Sequence, residues 1–204
     1  MGLVSASSSI TRYKVEGELE APVSDKIESA LKTYSFEENE EDYTEKSVGW
    51  TTIESPYIPR FETEKYTIGS YLVFALRVDK KTIPTKIIKK YYAIEMEKRL
   101  KETGRKFLSR NEKKMLKDHI MNILALRIPA TPSIYDLVWN YEEKRLWFFA
   151  TQKSANEELE TLFFKTFNLM LVRLFPYTVA DLSFNFNESE KDILNRLAPV
   201  SFNK

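Results

Sequence analysis

Arg110, Lys113, Lys114 and Lys117 stand at i, i+3, i+4 and i+7, the spacing that brings side chains to one side of a helix. They belong to the stretch GRKFLSRNEKKMLKDHI, residues 104–120, which holds six Lys or Arg against two acids. Lys86, Lys89 and Lys90 repeat the spacing on the preceding helical segment, and Arg105 and Lys106 occupy the turn between. A row of fixed cations at helical pitch suits a phosphate backbone, whose charges repeat every few ångströms. Contacts of that kind position a polyanion without reading bases. The plain alternative is a solvated helix face. Charge distribution favours the polyanion: residues 1–75 carry 7 basic and 14 acidic side chains, residues 76–117 carry 15 and 5, and residues 118–204 carry 9 and 11. A chain of formal charge +1 thus gathers its cations in one place, an asymmetry that points to nucleic acid.

Other chemistry finds little support in the residues. The chain has no cysteine, which excludes disulfides, thiol catalysis and zinc–thiolate sites. His119 is the lone histidine, next to Asp118, and no nucleophile pattern accompanies it. The acidic run Glu37, Glu38, Glu40, Glu41 and Asp42 could hold Mg²⁺ as a nuclease would, but it is contiguous, loop-like and has no nearby catalytic lysine, so a solvated loop is the simpler reading. No GxxxxGK loop cradles phosphate. We therefore expect no catalytic residues, no metal, no cofactor and no small-molecule substrate. The N-terminus MGLVSASSSI lacks a leader pattern. The most apolar stretch, residues 162–175, is broken by Lys165 and Arg173, short of the roughly 18 apolar residues that span a bilayer. A soluble, cytoplasmic protein without membrane contact is expected.

These cations need elements to carry them. Residues 10–19 alternate apolar and polar and predict a strand. Residues 24–34 predict a helix capped by Ser24, with Ile27, Leu31 and Tyr34 on one side. SVGWTTI and YTIGSYLVFALRV predict strands, the second long. Pro84 opens a helix whose stripe is Ile88, Tyr92, Met96 and Leu100, and Gly104 ends it. Ser109 and Glu112 form a capping-box pattern for the next helix, with Leu116, Ile120, Ile123 and Leu124 as its apolar face and Pro129 as its stop. Residues 133–151 predict a hairpin around NYEEK. A helix capped by Ser154 and Glu157 should follow and run to about residue 175, carrying Phe163, Phe164, Phe167 and Phe175 as core or subunit interface. A short strand, TVADLSF, and a polar helix from residue 188 complete the series. Strands mixed with helix pairs predict an α+β fold, mainly antiparallel sheet with packed helices, with a core over residues 1–184 and a C-terminal helix and tail over 185–204.

The ordered series resembles the recombination-associated RdgC family of bacterial DNA-binding proteins. The carrying residues are SVGW (47–50), ALRVDKKTIPTKIIKK (75–90), the basic stretch 104–120, the arginine of LALRIPA (124–130) and LVWNYEEKRLWFFATQKSANEELETLF (137–163). The likeness covers residues 10–182 and is to a short member, since related chains extend further at the C-terminus. It implies a homodimer closing into a ring around double-stranded DNA with little sequence preference, nucleoid association, and restriction of the recombinase RecA's access to DNA. On this reading Arg110, Lys113, Lys114 and Lys117 make the main phosphate contacts, and Lys86, Lys89, Lys90, Arg105, Lys106 and Arg127 support them. The competing class is a protein-interaction module whose basic face docks an acidic protein partner.

Overall fold

The computed structural model describes residues 2–38, 46–62, 66–184 and 186–197. In chain order the elements are β1 (Thr11–Glu16), α1 (Val23–Thr33), β2 (Lys46–Thr51), β3 (Thr67–Ile68), β4 (Tyr71–Lys80), α2 (Thr85–Thr103) and α3 (Arg110–Arg127). Then come β5 (Thr131–Asn140), β6 (Arg145–Phe148), α4 (Lys153–Phe167), β7 (Met170–Arg173), α5 (Pro176–Ser183) and α6 (Glu188–Arg196). The fold is α+β. Its sheet has the order β2-β4-β5-β6-β1-β7, with β3 paired to β4, and the pairs β1–β6, β1–β7, β3–β4 and β5–β6 are antiparallel.

Backbone contacts divide the chain into two compact units. One unit comprises residues 1–35, 50–76 and 135–204; the other comprises 36–49 and 77–134. In the first, β1, β5 and β6 turn Tyr13, Val15, Leu137, Trp139, Leu146 and Phe148 to one side, where all are buried, as strand alternation requires. Helix α4 lies on that side with Leu159, Phe163 and Phe167. The Trp139 ring centroid is 5.0 Å from both Phe163 and Phe167, a distance at which tilted aromatic pairs add to the burial term. Tyr13 donates from its hydroxyl to Asn156 Oδ1 at 2.6 Å and Glu160 Oε1 at 3.0 Å. Burial first, and the neighbouring Glu160 carboxylate second, push the Tyr13 hydroxyl pKa far up. The phenol therefore stays protonated and works as a structural donor. Trp50, fully buried, meets Phe74 edge-on at 5.2 Å and donates from Nε1 to Thr166 Oγ1 at 2.8 Å.

In the second unit, α2 and α3 pack along one seam of Leu108, Leu116, Ile120 and Leu124 against Ile83, Ile87, Ile88, Tyr92, Met96, Leu100 and Ile128. The expected stripe of α2 is present, yet no residue of α2 is fully buried. A single narrow seam leaves the remaining sides of both helices to solvent, which is why they tolerate so many charges. Gly49 has a separate role. A Cβ there would lie 2.5 Å from Phe36 Cα and 2.7 Å from Phe36 N, so the Gly of the SVGW stretch permits a close backbone approach.

Five local expectations are corrected. Ser24 does not cap α1: the helix starts at Val23 behind Pro22, and Ser24 Oγ donates to Asp25 instead. The long strand 66–78 is a hairpin, because Gly69 takes φ +61 and turns the chain between β3 and β4. Ser154 does not cap α4, which begins one residue earlier with no side-chain cap at Gln152; Asn156, drawn to Tyr13, donates from Nδ2 to Gln152 O at 2.8 Å. That helix ends at Phe167 rather than near 175, because Asn168 adopts φ 54 and β7 then pairs with β1. Finally, TVADLSF lies in helix α5, started by Pro176 at the first helical position, and not in a strand. Of the aromatic stripe, Phe163 and Phe167 are core, while Phe164 and Phe175 are about half exposed.

Candidate nucleic-acid interface

The N-terminus of α3 is fixed by the expected capping box. Glu112 N donates to Ser109 Oγ at 3.3 Å and Ser109 N donates to Glu112 Oε2 at 2.7 Å, so two backbone donors that a helix start leaves free are satisfied. The Ser109 hydrogen bonds, more than Arg105, hold the Glu112 carboxyl below its ordinary pKa. A lowered pKa means that the cap is complete above the usual carboxylate range and weakens as pH falls through it. Ser109→Ala is expected to cost about 1 kcal/mol, seen as faster amide hydrogen exchange at Glu112 and Lys113.

From this start Leu116, Ile120 and Leu124 go into the seam. Arg110, Lys113, Lys114 and Lys117 emerge beside it, all exposed. None of the four makes an ion pair among the described residues. From Arg110 to Lys117 the helix rises about 10 Å. Arg105 and Lys106, also exposed, follow the left-handed Gly104 (φ 63) in the turn. Arg105 is partly spoken for, its Nη1 standing 3.2 Å from Glu112 Oε1; a surface pair of this kind is weak and salt-sensitive.

Lys86, Lys89 and Lys90 are exposed on α2, but the hairpin places them elsewhere. The helices run antiparallel: Tyr91 and Lys98 of α2 share a groove of about 320 Å³ with Arg127 and His119 of α3. Ile88 likewise lines a cavity with Met121 and Ala125. Lys86, Lys89 and Lys90 therefore flank the C-terminal end of α3, with Arg127. The group Arg105, Lys106, Arg110, Lys113, Lys114 and Lys117 gathers at the opposite end, in a helix about 27 Å long. Helical spacing within each segment was visible in the sequence; the separation of the two groups follows from the hairpin. Lys98, exposed on α2, was not among the expected cations, and antiparallel packing sets it in the groove with His119 of α3.

Arg77, by contrast, is no surface cation. Its Nε and Nη2 donate to Asp79 Oδ1 and Oδ2 at 2.8 and 2.7 Å, and the guanidinium carbon lies 4.0 Å from the Phe36 ring centroid. Both residues are buried, at 3% and 5% exposure. Two positions apart on β4, they share a strand side, and the pair anchors the strand that leads into α2.

Arg127 also borders a cavity of about 330 Å³ with Glu38, Asp79 and Lys81. Glu37 and Glu38 are the described part of the acidic run; Glu40, Glu41 and Asp42 lie outside the described residues. His119 is exposed in its groove. Among the described residues, no group of three or more His, Cys, Asp and Glu is placed to hold a metal ion. No helix among them is long and apolar enough to cross a membrane.

A family model described as "Putative exonuclease, RdgC" matches residues 8–182. The chain belongs to the RdgC family. That span takes in both basic helices, the SVGW stretch and the β5–β6 hairpin. Membership is consistent with a role in recombination. No curated protein matches the chain.

Proposed function

We propose that this RdgC-family chain is a sequence-independent binder of double-stranded DNA that modulates recombination and replication. It grips the phosphate backbone and cleaves no bond, and it acts as a homodimer at the nucleoid, as the family likeness implies. The observation that carries the reading is the row of four exposed, unpaired cations on α3. Arg105 and Lys106 extend the row at one end. Lys86, Lys89, Lys90 and Arg127 offer a second group of contacts toward the other end of the hairpin.

Phosphate contacts release condensed counterions, so affinity must fall steeply with salt. Five neutralised phosphates give a log–log slope of roughly −4.5 on duplex DNA. The expected result is that slope, with unlabelled duplexes of unrelated sequence competing equally. A slope near zero, or strong preference among competitors, would contradict backbone binding.

A second reading is favoured by Phe107 and Met115, which are 77% and 69% exposed amid these cations. Apolar groups among cations suit docking of an acidic protein; that reading predicts binding which DNA does not compete away. The exonuclease of the family description predicts Mg²⁺-dependent loss of end-labelled DNA, and intact label would remove it.

A further inference from the structure

We propose that the side of the sheet opposite α4, at β1 and β6, is a second DNA site, specific for single strands: bases stack on Trp147 and Tyr71, and phosphates meet Arg12, Lys14 and Arg145. The proposal shares the DNA-binding reading but rests on different residues, all in the other compact unit.

Alternation fixes which side chains face out. Tyr13, Leu146 and Phe148 are fully buried on the side covered by α4, so Arg12, Lys14, Arg145 and Trp147 point the other way. Register then groups them: Arg12 stands opposite Trp147, and Lys14 opposite Arg145, cross-strand neighbours about 5 Å apart. Arg12 and Arg145 are exposed and Trp147 is partly so. Neither arginine makes an ion pair among the described residues. The Lys14 amine is 3.3 Å from Glu16 across an exposed surface. The nearby carboxylate of Asp136 accepts the Leu3 backbone N–H at 2.7 Å. The ring of Tyr71, 38% exposed, lies 6.2 Å from that of Trp147.

Open aromatics flanked by arginines on a sheet match the chemistry of a single strand. Its bases expose both faces for stacking, and its phosphates need nearby cations. A duplex keeps its base faces covered and gains only the phosphate contacts. The α3 row differs in character: its cations lie along a helix, with Phe107 as the exposed ring beside them. One chain thus carries a backbone grip for duplex and a stacking face for single strands.

Tryptophan fluorescence tests this directly. Trp50 and Trp139 are fully buried, so quenching on addition of a 20-mer oligo(dT) reports Trp147. We expect quenching in the full chain. Trp147→Ala should weaken oligo(dT) binding about tenfold with duplex affinity unchanged, and Trp147→Phe should keep most of the oligo(dT) affinity. The Lys113→Glu, Lys114→Glu, Lys117→Glu variant should lose duplex binding and keep the quenching. Absent quenching, or oligo(dT) affinity that Trp147→Ala leaves unaltered or lowers only in step with duplex affinity, would overturn the proposal. Should Trp147→Ala fail to fold, the wild-type quench and its strength across a salt series decide: a slope as steep as that for duplex would mean phosphate contact alone. Duplex binding without quenching sinks this site alone; quenching without duplex binding sinks the α3 reading alone.

Discussion

Reversing Lys113, Lys114 and Lys117 together to glutamate is expected to abolish duplex binding while the protein stays folded. Each of the three is exposed on α3, outside the seam of Leu116, Ile120 and Leu124. Losing three of five phosphate contacts flattens the salt slope by about 2.7, and the three new carboxylates repel the backbone besides. The fold should scarcely notice. Exposed substitutions of this kind usually shift stability by no more than about 0.5 kcal/mol, although Lys114→Glu sets a like charge one turn from Asp118 and adds a small cost. Unchanged circular dichroism with lost anisotropy is the expected pair of results. Unaltered affinity would remove α3 from the interface.

The largest stability effect is expected at Asp79. Its carboxylate takes two hydrogen bonds from Arg77 inside the protein, where neither residue exceeds 5% exposure. Asp79→Ala removes the carboxylate that takes two hydrogen bonds from the buried Arg77 guanidinium, and breaking a buried pair typically costs about 3–5 kcal/mol. For a chain of this size that corresponds to a fall in melting temperature on the order of 10 °C. The double variant Arg77→Met, Asp79→Leu should lose less than Asp79→Ala, because apolar residues of similar volume often replace a buried pair at little cost. Urea denaturation of the three proteins measures this. A loss below about 1 kcal/mol for Asp79→Ala, far short of the usual cost of a broken buried pair, would show that the pair is not the anchor of β4.

How much of this could be read in advance depends on whether the signal was local. The Ser109–Glu112 box, the Gly104 stop and the seam residues Leu116, Ile120 and Leu124 are local signals, and the structure shows each of them. Failures came where a distant contact decided. Residues 170–173 read as the tail of a helix, but Asn168 ends that helix and β1 recruits the segment as a strand. Ser154 has capping spacing, yet α4 begins at Lys153, and Asn156 bonds to Tyr13 and to Gln152 O. Arg77 counted toward the basic total, although its partner two residues on keeps it inside. The same holds for the candidate interface. Spacing showed that Arg110, Lys113, Lys114 and Lys117 share a side; only the antiparallel hairpin showed that Lys86, Lys89 and Lys90 lie toward its other end. The outward turn of Trp147 carried no signal in the sequence, because an aromatic in a strand reads as core until the register shows which side it takes.

The central claim, that α3 presents a grip for the DNA backbone, is tested most directly by anisotropy of a fluorescent random-sequence 30-mer duplex titrated with the full chain at low salt. Micromolar or tighter binding, lost in the Lys113, Lys114, Lys117 charge-reversal variant, is the predicted result. No binding by the wild-type chain, or equal binding by the variant, would contradict it.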